Sequence, residues 1–135
     1  INKENFFYIA KYYPIRMAKI DSEFVVRDTI TSDEESLTIV DPIPAGEMVY
    51  LLNGNEEYLI EGAAEASQSA DLYGMNNIFC ISCISRVLYL EEDFYKELDA
   101  ISSKPINGFL ALGEIANSGN TFLEIYNKTV VVTQL

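Results

Sequence analysis

The chain has 135 residues, 49% hydrophobic and 22% charged, which suits one folded domain with its own core and excludes a disordered segment. Its 21 acidic against 9 basic side chains give a formal charge of −12, a balance that disfavours phosphate backbones and anionic lipids, so nucleic acid is not an expected partner. No window approaches the roughly 18 uninterrupted apolar residues of a membrane-spanning helix. Neither a signal peptide nor an initiating methionine is present at Ile1, so residues 1–135 are expected to form a single domain excised from a longer protein.

In chain order, Phe7 to Ala10, Pro14 to Ala18 and Phe24 to Ile30 read as strands, the last two separated by a turn at Asp21-Ser22. An acidic turn at Ser32 to Glu35 leads to a strand over Leu37 to Val40. The prolines and glycine of DPIPAGE, residues 41–47, end it, and Met48 to Leu52 begins the next. The period then changes. Leu59, Ile60, Ala63, Ala64, Ser67 and Ala70 recur at three- and four-residue steps and predict a helix. Asn55 would be its N-cap, Glu56 and Glu57 would suit the dipole of its first turn, and Gly74 would terminate it. Ile78 to Cys83 is apolar on both faces and reads as a central strand. A second helix is predicted over Glu91 to Ile101, with Phe94, Leu98 and Ile101 inward and Pro105 beyond its end. The remainder reads as a three-strand meander, Gly108 to Glu114, Phe122 to Tyr126 and Thr129 to Thr133, turning at Ser118-Gly119-Asn120 and Asn127-Lys128. This order implies an α+β fold, a mainly antiparallel sheet of about seven or eight strands with two principal helices.

Cys80 and Cys83 form a CxxC. Within a strand, however, residues three apart face opposite ways with Cα atoms about 10 Å apart, against the roughly 5.5 Å of a disulfide. The chain has no further cysteine and no histidine, so the usual zinc ligand sets cannot be completed. No metal or other cofactor is expected, and two reduced thiols fit a cytoplasmic protein.

Polar groups stand where apolar strands end. Arg27 follows Phe24-Val25-Val26, Arg86 follows the Ile78 to Cys83 strand, Glu114 closes the strand of FLALG, and Asn127 closes the next, Phe122 to Tyr126. Each has a plain structural reading: the exposed face of an edge strand for Arg27, an ion pair for Arg86, a solvated strand end for Glu114, and a hairpin residue tolerant of positive φ for Asn127. The alternative is a shared pocket, in which an arginine fork suits a carboxylate and a glutamate suits an ammonium or amide.

Four segments in order, VVRD at 25–28, FCISCISR at 79–86, GFLALGEI at 108–115 and LEIYNKTVVV at 123–132, resemble the FIST C-domain family, named for F-box and intracellular signal transduction proteins. The family pattern falls on Arg27, on Ser82-Cys83 with Arg86, on Gly108-Phe109 and Gly113-Glu114-Ile115, and on Asn127-Lys128-Thr129. Many members carry a histidine where this chain has Tyr126, so no role for an imidazole carries over. An N-terminal FIST portion usually precedes this one and is absent from the 135 residues. The resemblance implies a cytoplasmic sensory module that binds small ligands, amino acids among them, and is attached to a bacterial signalling output domain in cis or in trans.

The leading expectation is a non-enzymatic sensor with Arg27, Cys83, Arg86, Glu114 and Asn127 as its ligand-binding residues. The alternative is an interaction or scaffold domain in which the acidic face or a sheet edge meets a partner chain. An enzyme with Cys83 as nucleophile and Glu114 as base is disfavoured, because the usual histidine partner is missing.

Overall fold

A computed structural model describes residues 3–18, 24–33, 35–117 and 122–135. The turns expected at Asp21-Ser22 and Ser118-Gly119-Asn120 lie outside the described residues. The chain begins with a helix, α1 (Lys3–Ala10), where strand character was expected from Phe7 onward. Phe6 and Ala10 are buried and Phe7 and Tyr8 are exposed. Residues four apart therefore share the inward face, and helical spacing overrides the strand propensity of an aromatic run.

Strands β1 (Ile15–Met17), β2 (Val25–Arg27), β3 (Thr29–Ser32), β4 (Leu37–Ile39) and β5 (Val49–Leu51) follow. The run expected as one strand over Phe24 to Ile30 is divided at Asp28, and its halves belong to different sheets. β1 pairs antiparallel with β2 and β5, while β3 pairs antiparallel with β4. The acidic turn between β3 and β4 is closed by Asp33, whose carboxylate accepts from the backbone N–H groups of Glu35 and Ser36.

Helix α2 (Glu56–Ser69) starts as expected, with the Asn55 side chain accepting from the Tyr58 N–H at 3.3 Å. Ala63 and Ser67 are its buried positions. It ends five residues before Gly74, where the backbone passes through Ala70 to Asp71 at φ 53°.

Strand β6 (Ile78–Cys83) is the centre of a three-stranded sheet, order β10-β6-β7, with β7 (Ile106–Ala111) parallel to it and β10 (Val130–Gln134) antiparallel. Between β6 and β7 run α3 (Ile84–Leu90), a 3₁₀ turn at Glu91–Asp93 and α4 (Phe94–Ile101). No element was expected over residues 84–90, and the helix expected over Glu91 to Ile101 takes its α-helical form from Phe94. Gly108 has no room for a side chain, because a Cβ there would run into the carbonyl of Cys80; the two strands approach too closely for anything larger.

The expected meander does not form. Gly108 to Glu114 is broken at Leu112-Gly113, and β8 (Glu114–Ala116) pairs antiparallel with β9 (Glu124–Tyr126) as a separate ribbon. The turn after β9 then returns the chain to β6. Its left-handed residue is Lys128, φ 55°, and not Asn127. The class is α+β, but the ten strands described form four small sheets in place of one sheet of seven or eight.

Two cores result. Ala63 of α2, Leu72, Ile78 and Cys80 of β6 and Ile101 of α4 pack together, with Ile106, Val130 and Val132 against them. Met17, Val25 and Tyr126 form the second, joining the first sheet to the ribbon. The cysteines are free thiols: Cys80 faces the first core, and burial pushes its pKa up to about 11. Among the described residues no helix is long and apolar enough to cross a membrane.

Candidate functional site

The turn Asn127-Lys128-Thr129 gathers four of the five residues expected at a site. Asn127 is fully buried; its amide nitrogen donates to the Leu112 carbonyl at 3.2 Å, and its Oδ1 accepts from the Asp28 N–H at 3.4 Å. It thereby fixes the break between β2 and β3 against the break between β7 and β8. The Thr129 hydroxyl donates to Glu114, and the Thr129 carbonyl accepts from the N–H of Cys83. The Lys128 carbonyl accepts from Arg86 at 2.8 Å. Arg27 stands apart.

Arg86 is a buried structural tie. Its Nε donates to Glu97 at 2.8 Å, one terminal nitrogen donates to Lys128 O, and the other donates to Leu59 O of α2 at 2.6 Å. Glu97 is 0% exposed and also accepts from Ser82 at 3.2 Å. Burial raises its pKa against the opposing pull of Arg86. Each of the three guanidinium nitrogens of Arg86 thus donates within the protein, and the ion-pair reading of Arg86 is the one the geometry takes.

Arg27 plays a similar part on the other side. One terminal nitrogen donates to Ile125 O of β9 at 2.6 Å, and the other lies 2.7 Å from Asp41 and 3.6 Å from Glu124. It borders a cleft of about 420 Å³ shared with Pro42, Pro44 and Glu47. Its Nε is buried without a hydrogen-bond partner.

Glu114 is neither a solvated strand end nor part of an open pocket. It is 2% exposed, and one carboxyl oxygen takes the Thr129 hydroxyl. The other, Oε1, is buried without a partner. Burial pushes its pKa up to about 7, with Thr129 and the charge of Arg86 pulling the other way.

Of the five, Cys83 alone opens onto a concavity of about 350 Å³ between α1, β3 and α3. Phe7, Ile30, Val40, Ile84, Leu88 and Leu112 make its apolar walls. Lys11, Asp28, Thr29, Cys83, Ser85 and Lys128 bring polar atoms to it. The Cys83 sulfur lies 3.1 Å from the Ser85 hydroxyl. Lys11 donates to Leu88 O and pairs with Glu91; burial alone would lower its pKa, but Glu91 and Tyr12 together raise it. Lys128 Nζ sits 3.1 Å from Asp28 Oδ1, close enough for an ion pair but out of hydrogen-bond alignment.

Four of these residues were not singled out from the sequence. Asp28 and Lys128 each adjoin an expected residue, in VVRD and NKT, and pair with each other across 100 positions' worth of fold that no local pattern reveals. Lys11 was hidden by reading α1 as a strand. Glu97 had a usable signal: with Phe94, Leu98 and Ile101 it sits at three- and four-residue steps on the inward face of α4.

The family model described as the FIST C domain matches residues 1–117. The match stops short of the LEIYNKTVVV segment, which carries the Asn127-to-Thr129 turn. No curated protein and no solved structure matches the chain. With more than three quarters of its length matched, the chain belongs to the FIST C domain family, a family of sensory domains in signal transduction.

Proposed function

We propose that this domain is a non-enzymatic sensor that takes a small ligand, in the simplest case an amino acid, in the cavity between α1, β3 and α3. The observation that carries the reading is the composition of that cavity. At about 350 Å³ it falls in the range of small-molecule sites, which join apolar walls to a few convergent polar groups. The Asp28–Lys128 pair at one side supplies both charges, so a ligand ammonium would answer to Asp28 and a ligand carboxylate to Lys128. A ligand side chain would lie against Ile30, Val40 and Leu112. Output would follow from the turn, because Lys128 contacts the cavity while its neighbours hold Glu114, Cys83 and the β7–β8 break. The sensor would pass its state to a signalling domain in cis or in trans, and a cytoplasmic setting suits its free thiols.

The test is a thermal-shift screen of the chain against the standard amino acids and small carboxylates, beside Val40→Trp, which fills the cavity from its rim. Ligand at about 100 times its dissociation constant adds roughly 2.7 kcal/mol, a rise of several degrees for a domain of this size. The expected result is a rise with one ligand class that disappears in Val40→Trp while the variant's own melting temperature holds. A rise that persists in the filled variant would move the site elsewhere, and no rise with any compound would sink the reading.

A further inference from the structure

Two carboxylates meet the same turn. Asn127 accepts from the Asp28 N–H, Lys128 pairs with the Asp28 carboxylate at 3.1 Å, and the Thr129 hydroxyl donates to Glu114. Asp28 and Lys128 line the cavity between α1, β3 and α3, whereas Glu114 is not among its walls. Among the described residues Glu114 Oε1 has no hydrogen-bond partner. A buried oxygen so placed holds a proton at less cost than a charge. Strand β8, which carries Glu114, packs on β6, β9 and β10. Of these, β6 brings Cys80, whose thiol feels the Glu114 charge, β9 brings Tyr126 opposite Glu114 in register, and β10 has no ionisable side chain. Burial raises the Glu114 pKa; Thr129 and Arg86 of α3, itself paired with Glu97 of α4, lower it, and Asp28 raises it again. The chain has no histidine, the side chain that ordinarily changes charge between about pH 5 and 8.

We infer, on the cavity reading above, that ligand and proton compete across this turn: a ligand ammonium seated on Asp28 expels the proton of Glu114, and the cavity holds its cation more tightly as the pH rises. Charge supplies the coupling. Ionised Asp28 repels a second negative charge at Glu114, so a cation that cancels Asp28 makes Glu114 easier to ionise. By linkage, ionised Glu114 strengthens the hold on that cation by the same factor. A ligand carboxylate on Lys128 acts in the opposite sense, so an amine that lacks one shows the effect undiluted.

The probe is 3-methylbutylamine, an ammonium on a hydrocarbon tail that suits the apolar walls. Its binding to the whole chain is followed by calorimetry at pH 6 and pH 8, and at pH 7 in buffers of different ionisation enthalpy. Affinity should rise roughly threefold or more from pH 6 to pH 8, with protons released to the buffer at pH 7. Glu114→Gln should bind the amine alike at both pH values and release none, and Asp28→Asn should lose it. Without any ligand, the side-chain carboxyl carbon signal of Glu114, assigned by its absence in Glu114→Gln, should titrate at lower pH in Asp28→Asn than in the parent chain. No binding at either pH, equal binding at both, or a rise that survives in Glu114→Gln overturns the inference alone. An unchanged Glu114 titration in Asp28→Asn overturns it whatever the amine does. Binding that persists in Val40→Trp sinks the cavity reading with it.

Discussion

Glu114 is where a single residue sets a measurable property of the fold. Its carboxyl is buried, one oxygen is unpartnered, and its pKa stands at about 7 against a usual 4.5. The folded state therefore holds the proton more tightly than the unfolded chain. Stability from this group is complete below about pH 4.5 and is lost as pH climbs through about 7. At about 1.36 kcal/mol per pH unit the loss comes to about 3 kcal/mol. Glu114→Gln keeps an acceptor for Thr129 without the charge, so urea unfolding at pH 5 should give near-equal stabilities for the two proteins. At pH 8 the variant should be more stable by up to about 3 kcal/mol. Parallel profiles from pH 5 to 8 would place the burial cost elsewhere; Glu97, raised in the same direction, is common to both proteins and cancels in the comparison. None of this was readable from GFLALGEI, because burial at a strand end depends on which turn folds over it, and here that turn comes from residues 127–129.

Among the elements, α3 and its surroundings are held by Arg86, which links α2, α4 and the β9–β10 turn through three donors. Arg86→Ala would leave Glu97 charged, buried and unpaired, a change that costs about 3–5 kcal/mol. The pair replaced together by apolar residues, Arg86→Met with Glu97→Leu, should lose less than the single variant, and chemical denaturation of the three proteins checks it. A double variant as weak as Arg86→Ala would mean that the carbonyls of Leu59 and Lys128 are the partners that matter. The legible elements were those with strong local signals: the N-cap and small-residue face of α2, and the two-sided apolar β6. α1 was lost because Phe-Phe-Tyr-Ile satisfies strand propensity as well as a helical face. α3 was lost because Ile84-Ser85-Arg86-Val87-Leu88 continues the apolar texture of the strand before it, with no capping side chain to mark the change.

For the whole molecule, sequence pattern gave the class but not the sheet. Hairpin logic pairs neighbours, and it succeeded for β3 with β4; β9 also takes a sequence neighbour, but that neighbour is β8, which had been read as the end of the strand before it. It failed for the central sheet, where β6 takes a parallel neighbour across the α3–α4 crossover and an antiparallel one from the last residues. The candidate residues were better foreseen as a group than as a pocket: four of the five surround one turn, yet their polar atoms are mostly spent on the protein itself. That placement has a consequence for synthesis. β6 is made by residue 83, but its β10 neighbour, the carbonyl that receives Cys83 N–H and the carbonyl that receives Arg86 all lie at residues 128–134. A nascent chain must therefore carry its central strand half-paired until residues 128–134 have been made. A ribosome-released chain ending at residue 127 should be cut by protease within 78–90 while the full chain resists; equal resistance would mean that β6 and β7 are held without their last strand.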